Sequence, residues 1–461
     1  MGDNMFSKDF VWGVATSSYQ IEGNHPDLPG KCIWDEFVKK PGAIEDGSTG
    51  DVACDHLNRY KEDYKLMSSL GIKHYRFSVS WAKIMPEGVG RVDKKAVMLY
   101  RDMIAEMKKN DIIPYLTLFH WEYPQALMEQ GGWLNPKSPE WFYEYAKVIA
   151  ENFSDICEYF FTINEPQCIV GLGHIEGVHA PGLRLSKKDT FLIAHNVLKA
   201  HGLAVKALRQ YGNEKTKVGI APTAGVAYPY TEKPCDIEAA RSVYLGCDWP
   251  EDKWSWNVTW FLDAVVFGQY PKEALEKYKE YLPEITKEDM ELISQPIDYI
   301  GQNIYNGYFV RAGKDGGYEY VDRPDDFPTT SLNWPVTPEV LYWGPKFLYE
   351  RYNLPIYITE NGAAYRDTVT VEDTKMVHDK DRTDFLRKYL LQLERAVNEK
   401  IDIRGYFLWS FLDNFEWNCG FTQRFGIVYV DYATQERINK DSAYFYKKVC
   451  ETNGECINEP S

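Results

Sequence analysis

The sequence predicts an α/β protein built as one (β/α)8 barrel, with long βα loops around a deep pocket. Three observations carry this expectation. Eight short apolar runs recur along the 461 residues, at 10–15, 73–78, 112–118, 159–163, 217–221, 299–304, 355–359 and 403–408. They are rich in β-branched and aromatic residues and apolar at nearly every position, as strands buried on both faces of a parallel sheet must be. Longer stretches with helical spacing separate them, and the residues just after each run are polar and aromatic, where a barrel of this kind carries its chemistry.

Taken in order, the first run opens onto Thr16-Ser17-Ser18-Tyr19-Gln20, and the second contains Arg76 and opens onto Ser80-Trp81. His120-Trp121-Glu122 follows the third and Asn164-Glu165-Pro166 the fourth. Before the fifth, residues 187–211 place Leu192, Val197, Leu198, Ala204, Val205 and Leu208 on one helical face. The sixth ends at Asn303 and Tyr305, and the seventh runs into Glu360-Asn361-Gly362. A second clear helix, 384–400, presents Phe385, Tyr389, Leu393, Ala396 and Val397 as a stripe. The eighth run leads to Trp409-Ser410, with Glu416-Trp417 beyond. Connections after the first, fourth, fifth, sixth and eighth runs reach about twenty residues or more, well above ordinary βα loop lengths. Long loops on one rim predict a deep, aromatic-walled pocket.

No Pro/Ser/Gly-rich linker divides the chain and no fixed-period repeat recurs, so a single domain over 1–461 is expected. The net charge of −16 and the lack of a Lys/Arg cluster argue against nucleic acid and anionic membrane as partners. Met1-Gly2-Asp3-Asn4-Met5 lacks a basic segment followed by an apolar one, and no run of ~18 apolar residues occurs, so a cytoplasmic location is expected. The nine Cys are scattered without a C-x-x-C, signalling neither disulfides nor zinc, and most read as buried thiols. No cofactor or metal is implied, and assembly into a homo-oligomer stays open.

Two glutamates end strand-like runs on the expected rim, Glu165 and Glu360, with amides and aromatic rings around them. This is the inventory for glycoside hydrolysis. One carboxylic acid protonates the leaving oxygen, while a second carboxylate meets the developing oxocarbenium ion. Aromatic rings offer flat platforms to sugar C–H faces, and amides and imidazole offer hydroxyls both donors and acceptors. A lone glutamate near a strand end is usually a solvated or ion-paired surface group. The pair within this surround is what makes the reading specific.

The motifs Thr162-Ile163-Asn164-Glu165-Pro166, Ile358-Thr359-Glu360-Asn361-Gly362, Arg76-Phe77-Ser78-x-Ser80-Trp81 and Trp409-Ser410-x-x-Asp413-Asn414-Phe415-Glu416-Trp417 occur in order along the chain. With the N-terminal Phe10-x-Trp12-Gly13-x-Ala15-Thr16-x-x-Tyr19-Gln20-x-Glu22-Gly23, they resemble the family 1 glycoside hydrolases, the β-glucosidase family, over about residues 6–447. The resemblance implies Glu165 as general acid/base and Glu360 as nucleophile of a retaining double displacement, with carboxyls about 5–5.5 Å apart. It sets Arg76 and Tyr305 against Glu360, with Asn303 in support, and gives Asn164 the sugar 2-hydroxyl. Gln20, His120, Glu416 and Trp417 would take other hydroxyls and Trp409 the ring face. Trp121 is either a pocket wall or a hydroxyl partner. Relatives acting on 6-phosphorylated glycosides carry Ser at the Glu416 position, with Lys and Tyr where this chain has Gln423 and Phe425. An unphosphorylated sugar is therefore implied.

The expected substrate is a small β-glycoside or β-linked oligosaccharide, with β-galactosidase, β-fucosidase or transglycosylation activity compatible with the same residues. A 6-phospho-β-glucosidase and a non-catalytic sugar-binding barrel are the alternatives; the latter predicts loss of a catalytic carboxylate. His179 reads as a loop anchor, and His195 and His201 as structural residues. His174 stands where relatives often carry an aromatic residue on the aglycone side, and Trp334, Tyr342 and Trp343 are candidates either for the outer wall or for buried packing.

Overall fold

A computed structural model describes residues 6–459 except 251, 315 and 372–374; the N-terminal segment Met1 to Met5, read above for targeting signals, lies outside the described residues. Eight parallel strands close into a barrel: β1 Val11–Ala15, β2 His74–Ser78, β3 Ile113–Phe119, β4 Tyr159–Asn164, β5 Lys217–Ala221, β6 Tyr299–Asn303, β7 Ile356–Asn361 and β8 Ile403–Trp409. Each pairs with its sequence neighbours and β1 closes onto β8, giving a TIM barrel as expected. Helices surround it. The stretch 187–211 is one helix, Lys187–Tyr211, and the second expected stripe falls on Lys380–Asn398.

The interior of the barrel is an aromatic cluster that includes Tyr115, Phe161, Tyr299, Tyr357, Phe407 and Trp409. Arg76 sits above it, its guanidinium carbon 5.3 Å from the Phe161 ring centre. A larger apolar core fills the layer between strands and helices. The barrel is therefore a packed core that carries a polar floor at one end.

Strands four and seven end irregularly. The β4–β5 register shifts between Phe161 and Asn164, and the β6–β7 register shifts between Ile358 and Glu360. Such irregularities re-aim side chains that strict alternation would place elsewhere. They fall where Glu165 and Glu360 stand. Gly362 follows for a steric reason: a Cβ there would lie 1.7 Å from the Trp409 carbonyl oxygen.

The β5–β6 connection carries four α-helices and a short strand, Val226–Pro229. That strand joins Gly307–Ala312 and Tyr318–Val321 in a small sheet outside the barrel, which the eight-run pattern did not predict. Among the described residues no helix is long and apolar enough to cross a membrane.

Candidate active site

The long loops enclose a cavity of ≈ 450 Å³ lined by His120, Trp121, Glu165, Tyr305, Glu360, Trp409, Glu416 and Trp417, among others. All eight are residues singled out from the sequence, drawn from six different strand ends or loops. Three non-glycine residues here hold positive φ: Trp121 at 76°, Glu165 at 43° and Trp417 at 49°. Backbone strain of this kind costs ~1–3 kcal/mol per residue and persists where the surroundings dictate a side-chain direction.

Both candidate catalytic carboxyls are buried, Glu165 6% and Glu360 3% exposed, yet their surroundings differ. Arg76 Nη1 approaches Glu360 Oε1 at 2.6 Å, and the Tyr305 hydroxyl donates to Oε2 at 2.5 Å. Burial raises the Glu360 pKa, while Arg76 and Tyr305 oppose that rise. Among the described residues no cation is in contact with Glu165. Asn303 Nδ2 donates to its Oε1 at 2.7 Å and the Cys168 thiol to its Oε2 at 3.0 Å. Burial, then the negative charge of Glu360, push its pKa up to about 7. The pair is thus divided by its partners: Glu360 keeps a raised pKa but has a guanidinium and a phenol that stabilise its anion, while Glu165 holds a proton near neutrality.

Asn164 joins the two halves of the floor. Its Oδ1 accepts from Arg76 Nη2 at 2.5 Å and from Asn303 Nδ2 at 3.1 Å, and its amide nitrogen lies 3.2 Å from His120 Nε2. An amide N–H donated to Nε2 makes Nδ1 the protonated ring nitrogen of His120, and Nδ1 is a buried donor with no protein partner. Burial, then Arg76, hold the His120 pKa well below its ordinary value, so the ring is neutral. The neutral ring lines the cavity.

Trp121 gives its indole N–H to the Asn164 carbonyl at 3.0 Å, which leaves a ring face as wall. Gln20 stands behind the lining. Its Nε2 donates to Asn414 Oδ1, Phe415 O and Glu416 Oε2 at 3.0, 2.9 and 3.3 Å, so it holds the loop that presents Glu416. Burial, then the charges of Glu360 and Glu165, push the Glu416 pKa up to about 8. No Lys or Arg is among the cavity-lining residues, and Gln423 is engaged with the Ser331 hydroxyl at 2.6 Å.

Of the outer-wall candidates, Trp334 lines the cavity. Tyr342 and Trp343 do not: they are buried in helix Val340–Tyr352, where the Arg395 guanidinium lies over the Tyr342 ring at 3.7 Å. His174 is likewise buried, with Nδ1 on the Ile169 carbonyl at 2.7 Å, and is outside the lining. His179 Nε2 meets Asn418 Oδ1 at 3.0 Å, tying its loop to the 416–419 turn. His195 contacts the Tyr270 hydroxyl at 2.8 Å and His201 the Thr162 hydroxyl at 2.7 Å. Among the described residues no group of three His, Cys, Asp or Glu is arranged to hold a metal ion.

Cys168 was missed from sequence, although a residue three after Glu165 on a helical turn faces the same side. Its S–H···O bond favours the ionised Glu165. Cys168→Ala is expected to move the alkaline limb of the kcat/KM pH profile upward by up to about one pH unit. Cys168→Ser, which keeps a donor, should leave that limb near its original place. A pH–rate profile of both variants checks this.

Comparison with known proteins places the chain among carbohydrate-active relatives. The family described as Glycosyl hydrolase family 1 matches residues 2–455. Beta-glucosidase A of Thermotoga maritima is 44% identical over 458 residues, covering 98% of this chain and 99% of the relative. The 1,4-beta-D-glucan glucohydrolase of Thermotoga neapolitana is 42% identical over 456 residues, covering 97% and 99%. A solved structure of the Thermotoga maritima beta-glucosidase with glucoimidazole superposes with a TM-score of 0.88 at 44% identity, covering 97% of this chain and 99% of that one.

Proposed function

Since the chain belongs to glycosyl hydrolase family 1, we propose that its pocket hydrolyses terminal, non-reducing β-D-glucosyl residues by double displacement with retention. The observation that carries this reading is the division between the two buried carboxyls. Glu360 is held by a guanidinium and a phenol, whereas Glu165 is held by an amide and a thiol and keeps its proton to about pH 7.

In the first half-reaction Glu360 attacks the anomeric carbon while Glu165 gives its proton to the departing oxygen, so a glycosyl ester forms as the glycosidic bond breaks. Esterification removes the negative charge on Glu360, which is one of the causes raising the Glu165 pKa. Glu165, ionised by donating its proton, then stays a base long enough to deprotonate water. Water attacks the same carbon, the ester bond to Glu360 breaks, and the sugar leaves in the β configuration. Trp409 supports the ring face, and His120, Glu416, Asn164 and Trp417 bind hydroxyls, with Gln20 acting through the loop it holds.

The pH dependence has a definite sign. Glu165 must be protonated to cleave, so kcat/KM falls as pH rises through about 7 and is retained below that until Glu360 takes up a proton. A pH–rate profile on an aryl β-glucoside checks the limb.

Specificity for an unphosphorylated sugar is supported by a cavity that holds three carboxyls and no lining cation. A phosphate dianion brought beside Glu416 would be unpaired. The expected outcome is that 6-phospho-β-glucosides are turned over at least about 100-fold more slowly than β-glucosides, as loss of a few kcal/mol of transition-state stabilisation requires. Paired steady-state assays measure the ratio.

Cellobiose as a physiological substrate, a cytoplasmic site of action and action as one catalytic unit over 1–461 belong to the same proposal. Nine unpaired cysteines suit a reducing compartment. The net charge of −16 favours neither nucleic acid nor an anionic membrane as partner.

A further inference from the structure

Two different contacts hold Glu416 in the cavity. Gln20 reaches its carboxyl from behind the lining, with Nε2 3.3 Å from Oε2. The main chain of Glu416 is held separately: its N–H donates to the Gly420 carbonyl at 2.7 Å, across the short 3-10 segment Trp417–Cys419.

That carbonyl belongs to a peptide group gripped from outside the cavity. The same Gly420–Phe421 peptide gives its N–H to Asp46 Oδ2 at 2.8 Å. Asp46 stands exposed in the connection between helices Ile33–Phe37 and His56–Ser69, and it is not among the cavity-lining residues. Its other oxygen accepts from the Ser48 N–H at 2.9 Å, so the carboxylate is fixed on its own loop. The two loops meet again at Glu45, whose N–H donates to the Asn418 carbonyl at 2.8 Å. Gly420 fits the carboxylate. Its φ of 60° and ψ of −129° suit a residue without a side chain, and a Cβ there would lie 2.0 Å from Asp46 Oδ1.

The geometry points to Asp46 as a positioning residue for Glu416, acting from the protein surface through one peptide plane. The inference rests on the β-glucosidase reading, in which Glu416 binds a sugar hydroxyl, and extends it to a residue outside the cavity. A carboxylate accepting from an amide N–H makes a charge-assisted bond, stronger than a neutral one. It also polarises the peptide, so the Gly420 oxygen becomes a better acceptor for the Glu416 N–H. A contact that merely joined two loops would end at the loops. Here the group that Asp46 grips is the group that holds Glu416, so slack at Asp46 passes to the cavity carboxyl with a single peptide between them.

The test is a double-mutant cycle read as kcat/KM on a dinitrophenyl β-D-glucoside, whose good leaving group keeps weakened variants measurable. It uses the unmodified protein, Asp46→Ala, Asp46→Asn, Glu416→Ala and the double variant Asp46→Ala/Glu416→Ala. Asp46 is exposed, so truncating it opens no cavity in the core. Asp46→Ala is expected to lose about tenfold in kcat/KM, the scale of one hydrogen bond to a charged group. Asp46→Asn keeps an acceptor for the Phe421 N–H and should recover most of that loss. In the Glu416→Ala background the same truncation should cost less than about twofold, because the group that Asp46 positions is absent. Equal losses in both backgrounds would reduce Asp46 to a stabilising loop contact and overturn the inference alone, as would an unchanged kcat/KM in Asp46→Ala. No turnover by the unmodified protein would overturn the functional reading and the inference with it.

Discussion

Glu360→Ala is expected to abolish turnover of β-glucosides, with a loss in kcat on the order of 10⁵–10⁶-fold, because the carboxylate that forms the glycosyl ester is gone. Arg76 would be left with an unpaired charge beside a space the size of the missing carboxyl. Azide fits that space. It should attack the anomeric carbon from the side Glu360 occupied, restoring turnover of substrates with good leaving groups and giving α-glucosyl azide by a single inversion. Full activity without azide would remove Glu360 from the nucleophile's role. A β-configured azide product would remove it equally.

The second large effect belongs to Glu165→Ala, and it should depend on the leaving group. A dinitrophenolate departs without a proton, so the glycosyl ester still forms quickly. The following step lacks its base and stalls, so a burst of phenolate precedes a kcat reduced about 10²–10⁴-fold. Alkyl glucosides need the proton to leave and should lose both steps. Azide needs no base, and here it attacks the ester to give β-glucosyl azide. The alkaline limb near pH 7 should vanish with the carboxyl that causes it. Equal slowing for good and poor leaving groups would contradict the acid role.

Much of the barrel was legible because its strands are buried on both faces. Runs such as 159–163 and 217–221 are apolar without alternation, and their bounds in the structure are Tyr159–Asn164 and Lys217–Ala221. The rim was legible for a related reason: in a core this apolar, a glutamate at a strand end stands out. Glu360 nevertheless lies within β7, because a register shift carries the strand past the last apolar residue. The small sheet escaped notice because its strands are short and one ends in Pro229, a residue that argues against a central strand.

For Tyr342 and Trp343 the structure selects buried packing over the pocket wall. Helix Val340–Tyr352 continues through Pro345, and helix burial takes both rings into the core. Gln20 shows a different limit. Its motif marks it as part of the site, but only the fold reveals that its amide is spent on Asn414, Phe415 and Glu416. Cys168 is the converse case, an apolar-looking residue whose thiol reaches the carboxyl one helical turn away.

The central claim is that Glu165 and Glu360 act in sequence on one anomeric carbon and restore its configuration. Proton NMR of the reaction with an aryl β-D-glucoside in heavy water, followed before mutarotation, reads this directly. The account predicts that β-glucose appears first and α-glucose only later. α-Glucose appearing first would mean a single displacement by water and would contradict the assignment of Glu360 as nucleophile.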